Sequence, residues 1–201
     1  MLAYIFWHRP HEPAAGEGYE QAHISFHRSL ARTRPVGTCG SAVFRVTELP
    51  WTEPAGAAPA YEDWYVVEDF AALGVLNEAA VGRGHRTAHD QVARRFGWGA
   101  GGIYALLEGE RSAIARGSAP GDPSPATWVQ RPPGSRPRPL GELLGDGMDP
   151  SRSSLWRRQM VLGPAPEYCL LAPEVPPGAA PTRLPAGWSA RTLGRELLWS
   201  G

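Results

Sequence analysis

The sequence contains no lysine, because all 20 of its basic residues are arginine. It therefore has no lysine side chain that could form a Schiff base with a carbonyl substrate, and that reaction class is excluded. Every permanently charged cation is instead a planar guanidinium, a group suited to holding carboxylates. Twenty acidic residues balance the arginines, so the formal net charge is zero. Nucleic-acid-binding proteins usually carry a basic excess, and we expect no nucleic-acid partner.

Cysteine and long hydrophobic runs are also scarce. Cys39 and Cys169 are the only two cysteines, and they form neither a C-x-x-C pair nor a zinc-ligand spacing. The apolar run at the N-terminus is about seven residues long, too short for a signal peptide or a membrane span. A polybasic segment that would bind a membrane surface is absent too. We therefore expect a cytoplasmic protein with no membrane partner.

Secondary-structure signals in the first half follow the order strand, helix, strand, strand, helix, strand. Strands are predicted at 3–9, 41–48, 62–68 and 103–107, and helical segments at 19–32, 70–81 and 85–96. Asp69 stands where the N-cap of the helix at 70–81 is expected. A loop rich in Pro, Gly and Ala is predicted at 50–59, and the glycines of 97–102 are expected to lead into the fourth strand. This βαββαβ order is that of a ferredoxin-like unit.

A shorter copy of the same pattern follows a predicted linker at 111–126, which is rich in Ala, Gly, Ser and Pro. Three segments recur in the same order: Trp7-His-Arg-Pro in Trp128-Val-Gln-Arg-Pro, Ser41-Ala-Val-Phe-Arg in Ser154-Leu-Trp-Arg, and Trp64-Tyr-Val-Val-Glu in Tyr168-Cys-Leu-Leu-Ala. A short helix is expected at 139–145 and a last strand at 188–199, whereas the Pro-rich 172–187 leaves little room for a second helix. The chain is thus predicted to be an α+β protein with repeats at 1–110 and 127–201.

The repeated element order resembles the dimeric α/β-barrel superfamily in its fused, tandem form. That resemblance implies two ferredoxin-like antiparallel sheets that face each other, helices outside, and a ligand pocket between the sheets. The superfamily includes cofactor-free monooxygenases, isomerases, lactone-forming enzymes, haem enzymes and proteins with no known activity, so the fold does not select a reaction. In fused haem-binding members the second half would supply the axial imidazole. No histidine follows His89, and we expect no haem. Whether the chain forms a homodimer is left open, because a fused repeat can cover its own sheet face or dimerise through it.

Alternation of side chains along the strands predicts polar groups inside that pocket. If the relevant strand faces coincide, the candidate catalytic residues are His8, Arg45 and Glu68. The candidate ligand-binding residues are Tyr4, Trp64, Tyr104 and Arg157. His8 would act as a general base, while Arg45 or Arg157 would hold a carboxylate or enolate oxygen of the ligand. The alternative is that these charged groups lie at strand ends and meet solvent or each other.

Two pairs of histidines have the spacing of metal ligands on a helix. His23 and His27 lie four residues apart in the first predicted helix, and His85 and His89 do so in a later one. Residues four apart share a helical face. Two adjacent helices could thus bring four imidazoles to a divalent metal, with Asp90 nearby. The same spacing is common on amphipathic helices whose histidines bind nothing, and both interpretations stay open.

Three hypotheses about function remain, from different classes. The first is a protein that binds a small anionic or aromatic molecule between its sheets and, as an enzyme, catalyses cofactor-independent proton transfer or oxygenation. The second is a non-catalytic ligand-binding or assembly module whose sheet faces are filled by side chains. The third is a metal-binding protein that uses the helix histidines. An open space reaching His8 and Arg45 would favour the first, a space filled by Trp and Tyr the second, and converging histidines the third.

Overall fold

The computed structural model describes residues 1–11, 16–47, 49–51, 59–82, 85–115, 119–146, 148–160, 165–172 and 182–201. These residues contain nine strands: β1 (Leu2–Pro10), β2 (Thr38–Val46), β3 (Ala60–Val67), β4 (Phe96–Gly109), β5 (Ala126–Gln130), β6 (Ser154–Arg158), β7 (Tyr168–Leu171), β8 (Ser189–Leu193) and β9 (Arg195–Ser200). They also contain four α-helices: α1 (Gly16–Thr33), α2 (Phe70–Val81), α3 (Arg86–Ala93) and α4 (Leu140–Leu143). Most of the predicted loop at 50–59, part of the linker at 111–126 and most of the Pro-rich 172–187 lie outside the described residues.

The strand order shows two ferredoxin-like units side by side. The order is β8-β5-β7-β6-β4-β1-β3-β2-β9, and all eight neighbouring pairs are antiparallel. The set β4-β1-β3-β2 and the set β8-β5-β7-β6 each place the strands of one unit in the order fourth, first, third, second. The predicted tandem repeat is therefore visible in the topology. In the second unit no helix follows β7 among the described residues.

The prediction of two separate facing sheets is wrong, because β4 pairs with β6 and joins both units into one nine-stranded sheet. The sheet is nevertheless curled. Trp64 of β3 and Trp156 of β6 have ring centroids 5.4 Å apart, although in a flat sheet strands three positions apart are separated by about 14 Å. The edge strands β8 and β9 are also consecutive in the chain, with only Gly194 between them. The inner faces of the two units meet because one sheet wraps around them.

The described part of the predicted linker takes part in this wrapping. The backbone N–H of Gly121 donates to the carbonyl of Leu197 at 2.7 Å, and that of Ser124 donates to the carbonyl of Arg195 at 2.8 Å. Residues 121–124 therefore run along β9 before Ala126 begins β5. The linker was predicted from the small residues and prolines of this segment. In the structure the same residues form an extended segment that leads from β9 to β5.

Large side chains fill the inside of the curled sheet. Trp7, Trp64, Trp128, Trp156 and Tyr104 are all fully buried in one cluster there. The ring centroids of Trp7 and Trp128 lie 5.3 Å apart, and those of Tyr104 and Trp128 lie 5.5 Å apart. Edge-on contacts of this kind fill space with little void. The space between the two units, where the resemblance placed a ligand pocket, is thus occupied by the protein's own core.

The three longer helices, α1, α2 and α3, lie on the outer face of the first unit. A second core cluster, which includes Tyr19, Tyr61, Leu76 and Val92, packs between them and the strands. None of the helices in the described residues is both long and apolar enough to cross a membrane. This outer layer matters for function because it encloses a cavity large enough for a small molecule.

Strand β4 begins earlier than the sequence predicted, and its first half is rich in glycine. The predicted strand at 103–107 begins at Phe96, so that Gly99 and Gly101 pair with His8 and Phe6 of β1. A Cβ on Gly99 would stand 2.6 Å from the ring of Phe6, and one on Gly101 would stand 2.7 Å from the ring of Tyr4. These glycines are therefore part of the strand because two aromatic rings lie across them, and not because the chain turns there.

Helix α2 begins and ends where its sequence pattern predicts, and its start depends on one side chain. The carboxylate of Asp69 accepts a hydrogen bond from the backbone N–H of Ala72 at 2.9 Å. We expect Asp69→Ala to lower the free energy of unfolding by about 1 kcal/mol, because a helix N–H loses its acceptor. Urea unfolding measures this, and Asp69→Ser serves as the control that should retain most of the stability. An equal loss in both variants would contradict a capping role.

Candidate functional site

Strand β3 carries two neighbouring buried carboxylates that point to opposite faces of the sheet. Successive side chains of a strand alternate between faces. Glu62 therefore enters the inner core, whereas Asp63 faces the helices, and the two side chains are 0% and 2% exposed. Buried carboxylates are expensive unless they are paired or hydrogen-bonded. Each of the two has partners of a different kind.

Glu62 has a complete set of partners. Its Oε1 accepts from Arg195 Nη1 at 2.6 Å and from the Trp64 indole at 2.7 Å, and its Oε2 accepts from the Trp7 indole at 2.8 Å. Arg195 also donates from Nε to the carbonyl of Ser124 at 2.6 Å. Because its charge and its hydrogen bonds are satisfied within the protein core, Glu62 is a structural group.

Asp63 is surrounded by three imidazoles, and we call His8, His23, His27 and Asp63 together the Asp63 centre. His23 Nε2 lies 2.7 Å from Asp63 Oδ2, His8 Nε2 lies 3.4 Å from Oδ1, and His27 Nε2 lies 3.6 Å from Oδ2. His8 comes from β1, the strand beside β3. His23 and His27 come from one face of α1, as their spacing of four predicts. All four side chains are buried.

Neighbouring hydroxyl groups fix the orientation of two of these rings. Tyr19 Oη lies 2.6 Å from His8 Nδ1, and Ser41 Oγ lies 2.9 Å from His27 Nδ1. In both rings Nδ1 is therefore engaged, and Nε2 faces Asp63. Tyr65 donates its hydroxyl proton to Asp63 Oδ2 at 3.2 Å. The centre is a preorganised arrangement in which three Nε2 atoms converge on one carboxylate.

Burial and charge act in opposite directions within the centre. Burial lowers the pKa of His8 to about 4 and also lowers the pKa of His27, although Asp63 opposes both shifts. Burial alone would raise the pKa of Asp63, but the surrounding histidines outweigh it and hold that pKa well below its usual range. Burial and Asp63 raise the pKa of Tyr65 well above its usual value. Near neutral pH, His8 and His27 are thus neutral imidazoles beside an ionised carboxylate.

Several polar atoms of the centre have no hydrogen-bond partner among the described residues. They are His8 Nε2, His27 Nε2, His23 Nδ1 and Asp63 Oδ1. Buried polar atoms are nearly always paired in native proteins, so a group of unpaired ones calls for an explanation such as a water, an ion or a ligand. The ligand-capable atoms of His8, His23 and Asp63 also lie within 4.8 Å of one another. The Asp63 centre is therefore the place in the described structure that could hold a metal ion.

A cavity of about 620 Å³ lies next to the centre, between the outer face of the sheet and the helices. Its walls are mainly apolar and include Tyr4, Phe6, Phe26, Leu76 and Phe96. His23 and Asp63 of the centre line it together with the neighbouring Tyr65, and Asn77 and His89 line it elsewhere. The volume falls in the range of sites for small molecules. None of the described residues that line it is an arginine.

The structure separates the residues that the sequence grouped into one pocket. His8 and Arg45 face the helices, but Trp64 and Tyr104 belong to the inner core, where Trp64 donates to Glu62 and Tyr104 donates to the carbonyl of Pro166. Of the predicted ligand-binding residues, Tyr4 lines the cavity. The sequence analysis assumed that Trp64 of β3 faces the same side of the sheet as His8 of β1. The pairing of the two strands instead places Asp63, one residue earlier, on that side.

The predicted charged groups lie away from the cavity. Arg45 donates two hydrogen bonds to the carboxylate of Glu20 and one to Glu196 Oε2 at 2.8 Å. Those carboxylates engage its guanidinium. Glu68 is exposed just after β3, and Arg157 is half-buried on β6 in the second unit. The alternative in which charges pair with each other or meet solvent therefore describes Arg45 and Glu68. Their catalytic roles stay predictions.

The two histidine pairs also have different surroundings. His23 and His27 belong to the Asp63 centre. His85 instead bonds through Nδ1 to Ser29 Oγ at 2.9 Å and through Nε2 to Thr33 Oγ1 at 3.0 Å. His89 lies beside Asp90, with Nδ1 3.3 Å from Oδ1. Helices α1 and α3 do pack together, but His85 meets α1 near its C-terminal end, so the four histidines do not gather at one point.

Asp63 was missed in the sequence because the Glu-Asp pair stood at the predicted start of a strand, where charges usually meet solvent. A usable signal was present. Two acidic residues stand between Tyr61 and Trp64 in a strand with no other charged residue. An acidic pair in such a strand needs cations or donors on both faces of the sheet. The histidines of α1 supply them on one face, and Arg195 on the other.

No protein-family model matches the sequence, and no curated protein matches it either. Solved structures with a similar fold include the following two. One is a "putative monooxygenase" of Fusobacterium nucleatum, with a TM-score of 0.59, 7% identity, and coverage of 99% of this chain and 93% of that one. The other is a protein of Lactobacillus acidophilus with the same description, a TM-score of 0.53, 9% identity, and coverage of 96% and 93%. At such low identity the likeness concerns the fold alone. The chain thus has a dimeric α/β-barrel-like fold with an antiparallel sheet, as its repeated element order led us to expect.

Proposed function

We propose that the chain binds one small, neutral and largely apolar molecule in the cavity between sheet and helices, and removes a proton from it at His23. The observation that carries this proposal is the 2.7 Å contact between His23 Nε2 and Asp63 Oδ2 at the wall of an apolar cavity. A carboxylate that holds one imidazole nitrogen leaves the other nitrogen with a lone pair, which is the arrangement of a general base. His23 Nδ1 is buried and has no hydrogen-bond partner among the described residues, so a ligand would have to displace part of the cavity wall to reach it.

The lining of the cavity determines which molecules fit. The described lining residues provide no guanidinium, and the carboxylate of Asp63 is already there. An anion would lose its hydration and meet a like charge. We therefore infer a neutral ligand in place of the anionic one that the arginines suggested. Aromatic rings of the lining, among them Phe6, Phe26, Tyr65 and Phe96, suit a planar molecule. A phenol or an enolisable ketone combines these properties with a removable proton.

Proton removal would also be the first step of cofactor-independent oxygenation, one of the reactions hypothesised from the sequence. A phenolate or enolate is electron-rich and can pass an electron to dioxygen, whereas the neutral parent cannot do so readily. Two solved structures of similar fold carry the description "putative monooxygenase", which supports oxygenation of the ionised ligand as the reaction to test first. His23 would act on the ligand directly. His8, the base that the sequence suggested, is not among the residues that line the cavity.

The test uses 4-nitrophenol, whose phenol and phenolate forms differ in colour, with chelator-treated protein. We expect the pKa of bound 4-nitrophenol to be lower in the wild-type protein than in His23→Gln by about one unit or more. Glutamine can still donate to Asp63 but cannot accept the proton. Absorbance titration of the bound probe measures the difference. Equal pKa values in both proteins would remove His23 from the role of base.

A second pair of variants tests the place of binding. Ala80 lines the cavity from α2, whereas Ala71 is exposed on the same helix and does not. Ala80→Phe should weaken the binding of 4-nitrophenol by about tenfold or more because its ring takes up cavity space. Ala71→Phe should leave binding unchanged. Equal affinity of the two variants would show that the probe binds elsewhere.

A further inference from the structure

We propose that the Asp63 centre is a site for a divalent transition metal such as zinc, with His8, His23 and Asp63 as ligands and His27 as the fourth. This goes beyond the proposed proton transfer, and it can be tested with no organic ligand present. Three imidazole nitrogens and a carboxylate are donors that zinc and iron(II) accept. The ligand set differs from the four-histidine set predicted from the sequence, because a strand histidine and a strand aspartate replace His85 and His89.

The spacing of the donor atoms fits such an ion. Bonds from zinc to nitrogen or oxygen are about 2.1 Å, so two donors at tetrahedral positions lie about 3.4 Å apart. His8 Nε2 is 3.4 Å from Asp63 Oδ1, and His27 Nε2 is 3.6 Å from Asp63 Oδ2. Both distances are too long for good hydrogen bonds. Each is close to the spacing of two ligands of one ion, with His8 facing Oδ1 and His27 facing Oδ2 of the carboxylate. The His23 to Asp63 contact, at 2.7 Å, would have to lengthen, and His27 would have to move closer, because the group of ligand atoms within 4.8 Å of one another consists of His8, His23 and Asp63.

The unpaired atoms form the second argument. His8 Nε2, His27 Nε2 and Asp63 Oδ1 are fully buried and have no hydrogen-bond partner among the described residues. Leaving a buried polar atom unpaired costs about 1–3 kcal/mol. A cation bound among the four side chains would give each of these buried atoms a partner. No other group of three potential ligand residues within bonding reach of one ion occurs in the described structure.

The surroundings of the rings form the third argument. Metal-binding histidines usually engage their second ring nitrogen with a neighbouring group, which fixes the ring and its tautomer. Tyr19 does this for His8 at 2.6 Å, and Ser41 does it for His27 at 2.9 Å. A hydroxyl can accept from Nδ1–H as well as donate to Nδ1, so the same contacts serve the metal-bound tautomer. Tyr65 in turn steadies the carboxylate of Asp63.

The ion would lie beside the cavity, because His23 and Asp63 line it. Metal-bound oxygen atoms lose protons at much lower pH than free ones. With the ion in place, a ligand hydroxyl could join it as a further ligand, and its proton would then be lost more readily to solvent without a free His23 imidazole. The two proposals thus concern the same ligand proton but different occupants of the Asp63 centre, and each can fail alone.

The experiment compares two matched double variants of protein purified without a His-tag and stripped with chelator. His23→Gln/His27→Gln removes two proposed ligands, whereas His85→Gln/His89→Gln removes the other pair with the same spacing. We expect the wild type and the second variant to bind one equivalent of Zn2+ in calorimetry and to give the visible absorption of tetrahedral Co2+. The first variant should lose both signals. Equal binding by the two double variants, or no binding by folded wild type, would overturn the proposal.

A milder variant guards against misfolding of the first one. Tyr19→Phe keeps the ring that packs against His8 but removes the hydroxyl that orients it. We expect it to stay folded and to bind Zn2+ about 10–100-fold more weakly, as is usual when the partner of a ligand is lost. Unchanged affinity in Tyr19→Phe, together with unchanged Co2+ absorption, would show that His8 is not a ligand. Circular dichroism of each chelated protein confirms that the variants being compared are folded.

Discussion

Replacement of Arg195 by methionine is expected to lower the free energy of unfolding by about 3–5 kcal/mol, the usual cost of removing one partner of a buried ion pair. Arg195 and Glu62 have side chains with 0% exposure, and Arg195 Nη1 donates to Glu62 Oε1 at 2.6 Å. The guanidinium also lies 4.0 Å from the centre of the Phe44 ring. Without it, Glu62 would keep its two indole donors but would remain an uncompensated charge inside the sheet. Urea unfolding measures the loss.

Two further variants show whether the charge is responsible. Glu62→Gln/Arg195→Met removes both charges, and we expect it to recover much of the stability lost in the single variant, since neutral replacement of a buried pair often costs little. Arg191→Met changes an exposed arginine on β8 and should alter stability by less than about 0.5 kcal/mol. If Arg195→Met were no worse than Arg191→Met, the ion pair would not contribute to stability.

The metal-free protein is expected to lose about 3 kcal/mol of stability between about pH 7 and pH 4, chiefly because of His8. Burial lowers the pKa of His8 from 6.5 to about 4 in the folded chain. Below pH 6.5, His8 therefore binds a proton in the unfolded chain but not in the folded chain. The folded state loses stability with falling pH until the pH reaches the folded pKa of His8. His27 acts in the same direction. Because the folded pKa of Asp63 lies well below its ordinary value of 3.8, this carboxylate adds its own loss only below that pH.

Urea unfolding of chelated protein at several pH values measures this slope. His8→Gln removes the titrating group and should give a clearly flatter dependence, whatever its stability at neutral pH. His89→Gln, at a partly exposed histidine, should have the slope of the wild type. Identical slopes for His8→Gln and the wild type would mean that His8 is not responsible for the acid sensitivity.

Much of the fold was predictable because it depends on periodic patterns. Helix α2 was predicted at 70–81 and lies at Phe70–Val81, since its N-cap and apolar spacing agree. The repeated strand order also follows from local signals. The joining of both units into one sheet could not be predicted in this way. The pairing of β4 with β6 depends on contacts between residues that are distant in the sequence, and such contacts produce no periodic pattern.

The site was predictable only in part, and the reason is the burial of both faces of the central strands. His8, His23 and His27 were each chosen from the sequence, but in two different hypotheses. Strand β3 is buried along its whole length, so alternation of polar and apolar residues could not show which side chains face the helices. Trp64 was therefore placed beside His8, and Asp63, which lies there, was overlooked.

The continuity of β8 and β9 across Gly194 has a consequence for the order of events during synthesis. This run of chain pairs with β5 on one side and with β2 on the other, and Val46 and its partner Arg195 are 149 positions apart in the sequence. Until the ribosome has made that run, β2 lacks its neighbour and Glu62 lacks its cation. Contacts this distant in sequence form slowly. The first unit therefore cannot finish folding before the second is made, and the two units become native together.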